Sequence, residues 1–208
     1  MLQVTNLTCG RGGVPVLSGV GFTVAAGEAL ILRGPNGIGK TTLLRTLAGL
    51  QPVLAGTVAF PEEQGAYASH ADGIKSALTI RENLQFWADI YGGGGSGSTL
   101  RETALAAFDL LDLQHRMGGT LSAGQKRRLG LARLAVIERK VLFLDEPTVS
   151  LDGFSVKLFA EWLRGHLADG GLAVITTHID LGIDAPELDL TPYQAAPDQR
   201  GGSDEAFL

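Results

Sequence analysis

The sequence has a single cysteine, Cys9, with no Cys or His around it at zinc-ligand spacing. Neither a disulfide framework nor a cysteine-bound metal shapes such a chain, and the thiol reads as reduced. Long apolar runs are also lacking: the longest, such as Val141-Leu142-Phe143-Leu144 and Leu172-Ala173-Val174-Ile175, stop after a few residues, far short of the roughly 20 needed to cross a bilayer. The start, Met1 to Asn6, carries neither a basic n-region nor an apolar h-region, which predicts no secretory signal and a cytosolic chain. Basic residues are too few for a chain whose main work is to hold nucleic-acid phosphates: 17 Lys and Arg stand against 22 Asp and Glu, a net charge of −5. Charged residues at 19% and hydrophobic residues at 45% exclude a disordered chain. The excess is glycine, 29 of 208 residues, about twice the usual share of roughly 7%.

The glycines fall into two kinds. Gly92-Gly93-Gly94-Gly95-Ser96-Gly97-Ser98 is a run between two helical patterns and reads as a solvated loop without chemistry. Gly34, Gly37, Gly39 and Gly124 instead punctuate motifs. Around them, short apolar stretches at Leu2 to Leu7, Val14 to Leu17, Val20 to Val24, Ala29 to Leu32 and Thr57 to Phe60 predict strands and tight turns. Helical spacing predicts helices over Lys40 to Leu50, Ile80 to Ile90, Thr99 to Leu113, Ala123 to about Arg139 and Gly153 to Leu167. Fully apolar strands at Val141 to Leu144 and Leu172 to Thr176 alternate with these helices. Such alternation predicts an α/β fold with a mostly parallel sheet covered on both faces. Pro186 to Leu208 is polar, acidic and proline-punctuated, and reads as a loosely packed tail.

Gly34-Pro35-Asn36-Gly37-Ile38-Gly39-Lys40-Thr41 matches G-x-x-x-x-G-K-[ST] between a predicted strand and a predicted helix, the context that gives this motif its meaning. Glycines let backbone N–H groups turn inward around a phosphate, and the helix N-terminus adds partial positive charge. Lys40 is then placed for the β- and γ-phosphates, and the Thr41 hydroxyl for a magnesium ion. A phosphoryl-transfer site also needs a carboxylate at the end of a neighbouring strand, and Val141 to Leu144 ends in Asp145. Asp145 is expected to orient the metal shell and Glu146 to polarise the attacking water. His178, just past the strand that ends at Thr176, reaches the same edge and is a candidate contact for the γ-phosphate.

Leu121-Ser122-Ala123-Gly124-Gln125 precedes that strand. Ser122 can cap the helix that follows, so its hydroxyl and the N–H groups beside Gly124 form a second anion site. With this segment the chain resembles the ATP-binding cassette (ABC) ATPases, whose LSGGQ signature it matches except for Ala123. Glu146-Pro147-Thr148, Ser150-Leu151-Asp152 and Thr177-His178 are similar to the family's segments after the Walker B aspartate, its D-loop and its switch histidine. The resemblance implies a P-loop NTPase of RecA-like architecture, with an antiparallel β subdomain and an inserted α-helical subdomain. Its core would span about 1–75 and 123–185, the helical subdomain about 76–122 and the tail 186–208. ATP would sit on Gly34 to Thr41, with Thr42 beside it, and Ser122, Gly124 and Gln125 would close on the ATP of a second copy.

Two departures stand out. The glutamine that most of the family places downstream of the lysine is replaced, in Ala66 to Lys75, by His70; Gln64 precedes the strand-like Ala66 to Ala68. The aromatic that usually stacks on adenine is absent near Cys9-Gly10-Arg11, where the Arg11 guanidinium can stack on a base instead. Together with Ser69 to Lys75 and the compact length, these resemble the ATPase subunits of bacterial cytochrome c maturation systems. That likeness implies ATP and Mg2+, a homodimer of cassettes, transmembrane permease subunits, and a peripheral place on the cytoplasmic face of the inner membrane. It leaves open haem export or release of a haem-loaded chaperone. An importer for a small solute, a soluble non-transport ABC protein and an inactive partner are the rival readings.

Overall fold

A computed structural model describes residues 1–69, 73–91 and 97–196. It opens with an antiparallel sheet of β1 (Leu2–Arg11), β2 (Val14–Val24) and β4 (Ala55–Ala59), in the order β2-β1-β4. Between them come β3 (Ala29–Arg33) and α1 (Lys40–Leu47). The second sheet adds β5 (Gly65–Ala68), β6 (Val141–Asp145), β7 (Leu172–Thr176) and β8 (Glu187–Asp189) to β3, all parallel, in the order β5-β6-β7-β3-β8. Inserted between β5 and β6 are α2 (Ile80–Tyr91), α3 (Gly97–Ala107) and α4 (Ala123–Val136), while α5 (Gly153–Ala168) connects β6 to β7.

Alternation along the parallel strands sends successive side chains to opposite faces. Leu30, Leu32, Phe143 and Val174 join Leu43, Leu44 and Leu47 of α1 and the inner face of the antiparallel sheet in one core. Ala29, Leu142, Leu144, Ala173 and Ile175 join the four remaining helices in the other. A sheet buried on both faces needs strands that are apolar throughout, and β6 and β7 are. Because the strands run parallel, β3, β5, β6 and β7 all end at one edge, where such folds place their ligands. Cys9 is buried in the α1-side core, and burial pushes its thiol up to about 11, a protonated and inert state.

Four expectations are corrected. Val14 to Leu17 and Val20 to Val24 form one strand rather than two, with Gly19 at φ 77° absorbing an irregularity in the pairing. The helix expected over Thr99 to Leu113 stops at Ala107. Asp109 takes a left-handed φ of 52°, and a separate 3-10 turn follows at Leu111–Leu113. The helix expected to reach about Arg139 ends at Val136, with Glu138 at φ 50°. The stretch from Pro186 is not a loose tail in its first part: β8 pairs with β3, Leu190 and Ala195 are buried, and the Ala195 N–H donates to the Val16 carbonyl at 3.0 Å. Leu208 and the other residues after 196 lie outside the described residues, as do His70 and most of the glycine run.

Candidate active site

The loop from β3 to α1 is shaped by its glycines. Gly34 and Gly39 take φ of 137° and 118°, values that side chains resist. A Cβ on Gly39 would also stand 2.8 Å from Val16 Cγ1. Ile38 is buried and packs beneath Gly34, while Pro35, Asn36 and Gly37 are exposed. No side chain caps α1 at Gly39, so its first N–H groups are left facing the loop with the positive end of the helix dipole. Lys40 folds back over this loop, its Nζ donating to the carbonyls of Gly34 at 2.7 Å and Pro35 at 3.2 Å. Thr41 is half-buried next to it. Thr42 is buried, and its hydroxyl accepts from Arg11 Nε at 3.1 Å, which holds the exposed Arg11 over the first turn of α1.

Asp145, the last residue of β6, is 6% exposed. Its Oδ1 accepts from the Thr176 hydroxyl at 2.9 Å and its Oδ2 from the Tyr67 hydroxyl at 3.1 Å. Burial, reinforced by the Asp145 charge, pushes the Tyr67 phenol up to about 12, so it stays a donor. Glu146 follows with a left-handed φ of 50°, a strained value for a side-chain-bearing residue. Its N–H donates to the Thr176 carbonyl at 3.1 Å and the Thr176 hydroxyl at 2.9 Å. The turn aims the Glu146 carboxylate away from the strand, where Oε1 lies 3.2 Å from His178 Nε2.

Two adjoining hollows share Thr41, Asp145 and Glu146. One, of about 240 Å³, is also lined by Arg11, Asn36, Gly37, Gly39 and Lys40. The other, of about 310 Å³, is completed by Arg45, Tyr67 and Ser69. A hydroxyl and a buried carboxylate are hard oxygen donors that suit Mg2+. With both Asp145 oxygens already hydrogen-bonded, the set fits an ion that keeps its own waters. A further cavity of about 400 Å³, lined by Arg139, Trp162 and His166 among others, shares no residue with this edge.

The second anion site is built separately. The Ser122 hydroxyl accepts from the Gln125 N–H at 3.2 Å, and the Ser122 N–H donates to Gln125 Oε1 at 3.0 Å, a reciprocal cap on α4. Gln125 is thereby occupied as a capping partner. Neither hollow beside the cradle is lined by Ser122, Gly124 or Gln125. A Cβ on Gly124 would meet nothing within 4 Å, so nothing described in this chain requires the missing side chain there. His70 falls outside the described residues.

Two residues at this edge escape a reading of motifs. Tyr67 looks like an ordinary strand aromatic until β5 is paired with β6. Arg127 looks like part of the solvated basic run Lys126-Arg127-Arg128, yet it is 4% exposed. Its guanidinium donates to the carbonyls of Ser69 at 2.7 Å, Glu146 at 3.0 Å and Pro147 at 3.0 Å. It thus ties α4 to the turn carrying Glu146. The available signal was spacing: Leu131 and Leu134, on the same helical face as Arg127, are buried.

Comparison with known proteins places the chain in a family. A family profile described as ABC transporter matches residues 17–149. The chain is 61% identical to the cytochrome c biogenesis ATP-binding export protein CcmA of Rhodobacter capsulatus over 208 residues, covering all of this chain and 95% of that one. It is 46% identical to the protein of the same name from Nitrobacter winogradskyi, over 90% of this chain and 96% of that one. Among solved structures, an ABC transporter ATP-binding protein from Pyrococcus furiosus superposes with a TM-score of 0.82 at 24% identity, covering 93% of this chain and 99% of the other. That likeness bears on the fold alone.

Proposed function

The chain belongs to the ABC transporter family as an ATP-binding subunit, and from that premise we propose that it is the ATP-hydrolysing subunit of an export complex serving cytochrome c biogenesis. What carries the reading is one constellation: Glu146 Oε1 and His178 Nε2, 3.2 Å apart, on an edge where Glu146 shares a hollow with Lys40 and Thr41. Full-length likeness to export proteins of cytochrome c biogenesis supports the narrower assignment and weighs against an importer for a small solute.

Gly34 to Lys40 and the N–H groups of α1 bind the phosphates of ATP, and Arg11 lies against the base. Thr41 and Asp145 are the residues that would hold Mg2+, which when bound neutralises charge on the β- and γ-phosphates. Glu146 accepts the proton of a water as its oxygen bonds to the γ-phosphorus and the bond to the leaving ADP oxygen breaks. His178 steadies the Glu146 carboxylate. Tyr67 and Thr176 hold Asp145, and Arg127 holds the strained turn from which Glu146 projects.

Two copies face each other head to tail, so that Ser122 and the N–H groups of α4 in one close on the γ-phosphate held by the other. The open space at Gly124 leaves room for this arrangement. No helix among the described residues is long and apolar enough to cross a membrane. Attachment is peripheral, through permease subunits at the cytoplasmic face of the inner membrane. His70, α2 and α3 pass the movement that ATP binding and hydrolysis drive to those subunits. The cargo reading is haem, exported or released on its chaperone. The test is to purify the chain with its membrane partners: ATPase activity with permeases of cytochrome c biogenesis supports the reading, and a solute-uptake permease overturns it.

A further inference from the structure

Arg33, the last residue of β3, directly precedes the cradle, yet none of its hydrogen bonds described here goes to the cradle. Its Nη1 donates to the carbonyl of Thr177, the residue before His178. Its Nη2 pairs with Glu187 Oε1 of β8 at 2.6 Å. The two arms of one planar guanidinium thus join the loop after β7 to the C-terminal edge strand.

The segment they hold leaves the sheet at Thr177, which is 2% exposed. The Thr177 hydroxyl accepts from the Ile179 N–H at 3.1 Å, a side-chain turn that puts His178 at its tip. On the far side, Thr177 Oγ1 lies 3.3 Å from Thr148 Oγ1. The side chain of His178 is 65% exposed, so packing does little to fix it. It stands 3.2 Å from Glu146 Oε1 on the backbone that follows Thr177. An exposed ion pair contributes little stability, and Glu187 is 54% exposed. The pair's use is geometric: Glu187 orients the guanidinium fork so that its other arm meets a carbonyl.

We propose that Arg33, oriented by Glu187, is a positioning residue for hydrolysis, fixing the Thr177 backbone so that His178 meets Glu146. The inference rests on the hydrolytic reading of Glu146 and His178 above. It also makes β8, which the sequence disguises as tail, part of the machinery.

The test is a double-mutant cycle on the full chain assembled with its membrane subunits, measuring kcat, KM and nucleotide affinity. Arg33→Met keeps the apolar stem and removes the donors; kcat is expected to fall about tenfold, the scale of a sub-ångström misplacement, with ATP affinity unchanged within about twofold. Arg33→Lys restores part of the loss. In a His178→Ala background, Arg33→Met costs nothing further, because both act through one contact. Glu187→Gln gives a smaller fall of the same kind and keeps the test open should Arg33→Met fold poorly. Multiplying losses in the double variant, a weakened ATP affinity, or unchanged kcat in Arg33→Met and Glu187→Gln would each overturn the inference. Unimpaired hydrolysis in His178→Ala alone would instead remove the underlying reading of His178.

Discussion

The cradle and the capped end of α4 are both helix N-termini, but they differ in what their glycines meet. At the cradle the constraints are internal: Gly34 and Gly39 lie in left-handed backbone, and Gly39 abuts Val16 and Leu17. At Gly124 φ is not positive and a side chain would meet open space. One site is complete within the chain, with its lysine, hydroxyl and carboxylates at hand. The other is complete only as a cap, and on the proposed head-to-tail pairing its glycine answers to the second copy.

The largest expected effect falls on the complete side. Glu146→Gln should retain ATP binding and lose about 10²- to 10⁴-fold in turnover, the usual contribution of a general base, read by phosphate release. Full turnover would remove Glu146 from that role. Next, Lys40→Ala should weaken ATP binding to the isolated chain by about ten- to a hundredfold, the value of a charge-assisted hydrogen bond. Ser122→Ala should leave that affinity alone, and titration calorimetry of both variants would sharpen the contrast or erase it.

The glycines allow a direct comparison. Gly39→Ala should destabilise the fold by about 1–3 kcal/mol, whereas Gly124→Ala should stay within about 0.5 kcal/mol in denaturant unfolding and yet impair turnover. Equal destabilisation by both would mean that Gly124 has an internal role after all. The smallest effect concerns pH. The Tyr67 phenol is raised from 10.0 to about 12 in the folded chain, so its contribution to stability is fully present below pH 10 and is lost as pH rises through about 12. Tyr67→Phe should remove that alkaline dependence and, because Asp145 Oδ2 loses its donor, also lower stability at neutral pH by about 1 kcal/mol, as followed by unfolding against pH.

Much of this was legible along the chain because it is local. The cradle, the apolar strands ending at Asp145 and Thr176, and the Ser122 cap are all written within a few consecutive residues. What was not legible depends on approach in space. Arg127 sits in a basic run and becomes a buried clamp only when β5, β6 and α4 converge. Tyr67 becomes a partner of Asp145 only through the β5–β6 pairing. Glu187–Asp189 has one apolar residue in three and forms a strand because β3 offers it an edge. Asp109, which ends the helical run beyond Ala107, takes a left-handed turn that helical spacing does not announce.

The account turns on a site split between two chains, and sedimentation of the purified Glu146→Gln variant with and without ATP tests it most directly. A monomer that becomes a dimer on adding ATP, and fails to do so when Lys40 is also replaced, is the predicted result. A variant that binds ATP at saturation and remains a monomer would contradict it.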